Sequence, residues 1–224
     1  MWYLTLTGDG PILESLSTEK HSSIEKNSNE FVLKINEFEN YDTANDIRKL
    51  ACDYLDALNA ILFLEDGIRS AIKVNSLYKV NNDNSRDIYL FPEPGVIQLR
   101  GFAPTITVTR DSGESIVSTP YQMTFPAIDK SRSDEPLQKI LKEIENGEFD
   151  FRVLSNIIEI LQSVKGAKLY DWESKSKIDL LMRTSQSYRH GISRFPPPPN
   201  PMSLSDAQQI TKHLIKKYIT ELIE

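Results

Sequence analysis

Pro126-Ala-Ile-Asp-Lys-Ser-Arg-Ser-Asp-Glu-Pro136 is the stretch at which the chain changes its pattern. Before it, apolar residues alternate with polar ones in short runs broken by turn residues. After it, they recur every three to four residues. A period of two reads as strand and a period near 3.6 as helix. The switch therefore predicts an α+β protein: an N-terminal mixed or antiparallel sheet with a packed helix, then a C-terminal bundle of four helices. The boundaries expected are 1–125 for the first domain, 126–133 for a linker and 134–224 for the helical domain.

Upstream of the break, Trp2-Tyr-Leu-Thr-Leu-Thr7 alternates and is rich in β-formers, and Gly8-Asp-Gly-Pro11 ends it. Phe31-Val-Leu-Lys-Ile35 reads as a second strand. The polar stretch 12–29 between them offers a short helix at 12–17. Thr43 then reads as a helix N-cap, with Asp46 three residues on as a short acidic partner. Ile47, Leu50, Ala51, Tyr54, Leu55, Leu58, Ile61 and Leu62 follow as one apolar stripe, and Gly67 is its expected stop. Residues 71–80 and 87–91 read as a hairpin across Asn81–Asn84, with further strands at 96–100 and 104–109 and a turn at Asp111-Ser-Gly113. Short connections favour antiparallel pairing.

Downstream, the predicted helices are 136–146, 149–164, about 169–190 and 204–223. Gly147 and Gly166 stop the first two, and Ser203 with Asp206 caps the last. Between the third and fourth lies Phe195-Pro-Pro-Pro-Pro-Asn-Pro201. Four consecutive prolines cannot continue a helix and favour polyproline II geometry.

Composition excludes several function classes. The chain has 224 residues and a formal net charge of −6, with 39% hydrophobic residues, enough to build a core. No apolar run approaches the roughly 20 residues that cross a bilayer, and no signal peptide is expected at the start, so a cytoplasmic location without membrane contact is expected. A single cysteine, Cys52, excludes a disulfide framework and any multi-cysteine zinc site. His190, His213 and Cys52 have no ligand spacing, so zinc is not expected, and His21 lies in a polar loop with nothing around it to activate it. No other metal and no cofactor is expected either. Charge is unevenly placed. Residues 1–125 hold 11 basic and 18 acidic side chains, whereas 165–217 hold 10 basic and 4 acidic. The latter asymmetry points to an anion-facing surface, phosphate being the commonest candidate.

The chemistry concentrates in Asp179-Leu-Leu-Met-Arg183-Thr-Ser-Gln-Ser-Tyr-Arg189-His190. At about 100° per residue, Arg183 and His190 lie about 700° apart, only about 20° short of two full turns, so they share a helix face. Asp179, four residues before Arg183, can pair with its guanidinium. Asp179, Arg183, Gln186, Ser187 and His190 form the expected polar stripe, opposite Ile178, Leu181 and Met182. An arginine and a histidine on one face can bind a phosphate and move a proton near neutral pH, which suits cleavage of RNA by its own 2′-hydroxyl. A solvated helix face with no chemistry is the competing reading of the same residues.

Arg183-x6-His190 resembles the R-x4–6-H motif of the HEPN superfamily, near the end of the third of four predicted helices. The family's bundles typically dimerise. Many are metal-independent ribonucleases in toxin–antitoxin, CRISPR and phage-defence systems, and others only bind nucleotides or partners. The resemblance implies His190 as general acid/base and Arg183 as the transition-state ligand. Arg189, Asp179 and Ser187 would support the substrate. The position after the motif arginine, often Asn, Asp or His in the family, is Thr184. Segment 188–202 and the N-terminal pattern also resemble a group of bacterial proteins. The expected function is a ribonuclease effector in bacterial defence or a toxin–antitoxin pair, acting on RNA as a homodimer or with a partner protein. The alternative is a non-catalytic scaffold subunit that dimerises or docks a partner, with the proline segment as a rigid arm.

Overall fold

A computed structural model describes residues 2–67, 69, 71–80, 86–90, 106–109, 115–118, 121, 123–191 and 193–224. The chain is α+β and divides into two units, 1–128 and 129–224.

The first unit is built on a five-stranded antiparallel sheet in the order β2-β3-β1-β4-β5. Its strands are β1 (Trp2–Thr7), β2 (Ile24–Asn27), β3 (Glu30–Leu33), β4 (Lys73–Val80) and β5 (Arg86–Leu90), with helix α1 (Gly10–Ser17) between β1 and β2. Central β1 pairs Leu4 with Leu33 on one side and Leu77 on the other, and all three are buried. The cross-strand row of leucines makes the inner face. Helix α2 (Ala44–Asp66) packs against β4 and begins and ends as its sequence specifies. Thr43 Oγ1 accepts the Asp46 N–H at 3.2 Å and donates to the Asp46 carboxylate at 2.6 Å. Gly67 closes the helix at φ 77°, the left-handed geometry that glycine adopts without penalty. The apolar stripe is buried from Ile47 to Leu62, apart from Leu50, which is half-buried. The sheet includes one strand, β2, that the sequence reading did not expect. β2 lies in the stretch read as polar, because only Ile24 of its four residues faces the core. A second sheet pairs β6 (Ile106–Thr109) with β7 (Ser115–Ser118). The strand expected at 96–100 and the turn at 111–113 lie outside the described residues.

Tyr121 closes this unit. It is buried, and its hydroxyl donates to Asp66 Oδ2 at 3.3 Å. Burial first, then the Asp66 carboxylate, with smaller contributions from Asp9 and Glu65, pushes its phenol up to about 12. An unfolded tyrosine titrates near 10. Above that pH the unfolded chain releases a proton that the folded chain keeps, so the contribution of Tyr121 is constant below about pH 10 and falls towards pH 12. Tyr121→Phe should flatten that alkaline fall, measured as Tm against pH relative to wild type.

Helices are the regular elements among the described residues of the second unit. Helix α3 (Thr124–Ser131) spans the boundary at residues 128 and 129 and occupies most of the expected linker: Pro126 sits in its first turn, where the missing N–H costs nothing. α4 (Glu135–Asn146), α5 (Phe151–Lys165) and α8 (Leu204–Ile223) fall where the apolar period placed them. The third expected helix is divided into α6 (Leu169–Trp172) and α7 (Lys175–His190). Glu173 is extended there, at φ −151° and ψ 148°, and its carboxylate accepts the Ser174 N–H at 2.8 Å. The α4–α5 turn needs glycine for space, since a Cβ on Gly147 would lie 2.6 Å from Val153 Cγ2. Asp134 binds the unit together. Oδ1 caps α4 by accepting the Leu137 N–H at 2.7 Å, and the carboxylate also accepts the Tyr218 hydroxyl at 2.9 and 3.1 Å.

Candidate functional site

Helix α7 lies against α5, and its burial follows from that contact. Ile178, Leu181, Thr184, Ser185 and Ser187 are buried, whereas Asp179, Arg183, Gln186 and His190 are exposed. Four of the five stripe residues therefore share one open face, at the angular spacing the helix dictates. Neither the Arg183 guanidinium nor the His190 imidazole has a hydrogen bond or ion pair among the described residues. The His190 ring rests on Phe195, with centroids 5.2 Å apart and planes tilted by 46°. Turn 191–195 makes that contact: Gly191 is left-handed at φ 87°, and its carbonyl accepts the Arg194 and Phe195 N–H groups at 3.1 and 3.0 Å.

Three supporting residues stand differently from expectation. Ser187 does not face solvent. It lies about 40° round the helix from Arg183, on the side turned to the core. It is 4% exposed, and its hydroxyl has no partner among the described residues. It therefore cannot contact a substrate arriving at the open face. Asp179 makes no ion pair with Arg183 among the described residues; both are exposed, where such a pair gains little over hydration. Arg189 is committed elsewhere, to Glu159 on α5, with Nη1 to Oε1 at 2.7 Å. That partner offsets its charge and leaves it a weak phosphate ligand.

Thr184 has a role that sequence reasoning missed. It is wholly buried, and its Oγ1 accepts the Met202 N–H at 3.1 Å. The residue after the motif arginine thus ties the end of the proline segment to α7. The signal was its position: Thr184 stands three residues after Leu181, on the core side of the helix. Tyr188 stacks on Phe151, with centroids 4.5 Å apart, and stays 68% exposed. His213 is exposed, its Nε2 lying 3.2 Å from the Trp172 carbonyl, and His21 is exposed too. No group of three metal-ligating side chains occurs among the described residues, and no described helix is long and apolar enough to cross a membrane.

Comparisons of the chain with family models, with curated proteins and with solved structures found no match. An uncommitted guanidinium and an uncommitted imidazole lie two turns apart, a rise of about 10.5 Å along the axis. A flexible arginine can lean across part of that gap to meet an oxyanion held near the imidazole. Such a pair can bind phosphate and exchange a proton, which is the minimum that phosphodiester transesterification needs.

Proposed function

We propose that the second unit is a metal-independent endoribonuclease of HEPN type, working at the open face of α7. The observation that carries this reading is the shared exposure of Arg183 and His190 with no competing partner among the described residues. Arg183 would place two N–H groups on the non-bridging phosphate oxygens. The 2′-oxygen attacks phosphorus, giving its proton to a base, and the P–O5′ bond breaks as the 5′-oxygen takes up a proton. His190 serves in one or both transfers. One product would end in a 2′,3′-cyclic phosphate and the other in a 5′-hydroxyl. DNA, without a 2′-hydroxyl, would be inert. The setting we propose is cytoplasmic, in a bacterial defence or toxin–antitoxin system.

The test is incubation of the purified chain with total RNA in EDTA, with the new ends identified chemically. Cyclic phosphates, undiminished by chelator, are expected. Cleavage that stops in EDTA, or products with 5′-phosphates, would end this reading. We also propose that the chain works as a homodimer, or with a different chain, through its C-terminal helices. Light scattering at micromolar concentration should give at least twice the monomer mass, or a partner should co-purify.

A further inference from the structure

We propose that Pro196–Pro199 is a docking arm for a protein that presents a groove lined by aromatic rings. The inference does not rest on the cleavage chemistry. It rests on how the arm is built. Each residue from 195 to 198 precedes a proline, which pushes its ψ to extended values, and each from 196 to 199 is a proline, with φ held near −65°. Residues 196–198 therefore have both dihedrals set to polyproline II by covalent structure alone. No peptide bond of the arm is cis. Its ends are tied to α7: the Phe195 N–H donates to the Gly191 carbonyl at 3.0 Å, and the Met202 N–H donates to the buried Thr184 hydroxyl at 3.1 Å.

Exposure follows the period of that helix. Polyproline II has three residues per turn, so Pro196 and Pro199 lie on one edge, about 9 Å apart. Both are exposed, as is Pro197 on the second edge, while Pro198 on the third is buried. One edge anchors the arm and two face outward. An outward proline ridge offers ring faces and backbone carbonyls, with no N–H donor and no charge. Its complement is a surface of flat aromatic rings that also carry donors, such as indole N–H or phenol O–H. A polyanion would gain nothing from it. Because the arm is ordered before binding, docking costs little conformational entropy. Arg194, exposed at its N-terminal end, would pair with a carboxylate at one end of the groove and set the direction.

Isolated SH3, WW and EVH1 domains serve as probes, being unrelated folds that share an aromatic polyproline groove. Each is isotope-labelled and titrated with the full chain. At least one should bind, with shift changes at its groove rings. Pro196→Ala combined with Pro199→Ala should weaken binding by about tenfold or more, the size expected for a central contact. Pro201→Ala, exposed but off that edge, should leave it nearly unchanged. A free decaproline peptide should displace the wild-type chain, a readout independent of how the variants fold. The proposal is overturned by silence from all three probes, by undiminished binding of the double variant, or by failure of the peptide to compete. RNA binding that falls with the same double substitution would assign the arm to nucleic acid and overturn it as well.

Discussion

His190→Ala should lower RNA cleavage by about 10²–10⁴, the usual contribution of a positioned general acid or base. Its melting temperature should match wild type, because the imidazole is exposed and its ring contact with Phe195 is tilted rather than stacked. Loss of rate with an unchanged Tm separates a chemical role from a structural one. Arg183→Lys should be impaired by a similar order. A lysine keeps the charge but offers a single point donor in place of two parallel N–H groups, so the non-bridging oxygens are no longer held in one plane. Arg189→Ala should do far less, since its guanidinium is already spent on Glu159. Equal cleavage by wild type and His190→Ala would remove the histidine from the reaction. The assay is single-turnover cleavage of a labelled RNA, with Tm followed in parallel.

The largest stability effect is expected at Asn59. Its amide lies 6% exposed inside the first unit and meets one residue twice: Nδ2 donates to the Ile72 carbonyl and Oδ1 accepts the Ile72 N–H, each at 3.1 Å. The side chain pairs with the backbone as a neighbouring strand would, just before β4 begins. Asn59→Ala strips both partners and orphans two buried backbone groups. Each orphan costs about 1–3 kcal/mol, so a loss of about 2–6 kcal/mol is expected. Asn59→Leu should do no better, because the leucine fills the space but satisfies neither group. Urea unfolding should show a lower midpoint at an unchanged slope. A midpoint within error of wild type would mean that water replaces the amide.

Helix α2 was legible in the sequence because three independent signals agreed: an apolar stripe of four turns, Thr43 with Asp46 at one end, and Gly67 at the other. Strand β2 was not, because its burial rests on Ile24 alone, and one apolar residue carries no period. The division of the third helix was hidden for a related reason. Residues 169–190 all tolerate helix, and the break comes from Glu173 capturing the Ser174 N–H rather than from a glycine or proline. At the site, the angular argument placed Asp179, Arg183, Gln186 and His190 correctly on one face. It misplaced Ser187, which stands at the edge of the stripe, where the width of the α5 contact decides burial. Ion pairing was the least legible part. Arg189 found its partner on α5, 30 residues away. Asp179 declined the neighbour that spacing offered.

Asp134 has a consequence for how the second unit is made. The same carboxylate starts α4 and receives the hydroxyl of Tyr218, 84 residues later on α8. At a translation rate of about 5–20 residues per second, the ribosome takes on the order of 4–17 s to travel from one to the other. During that interval α4 exists with its cap but without its closing contact, and the face of α5 against which α8 packs stays uncovered. The nascent helices must wait, exposed, until α8 clears the exit tunnel. That interval is when the chain is most open to a chaperone or to misassembly with a neighbour on the same message.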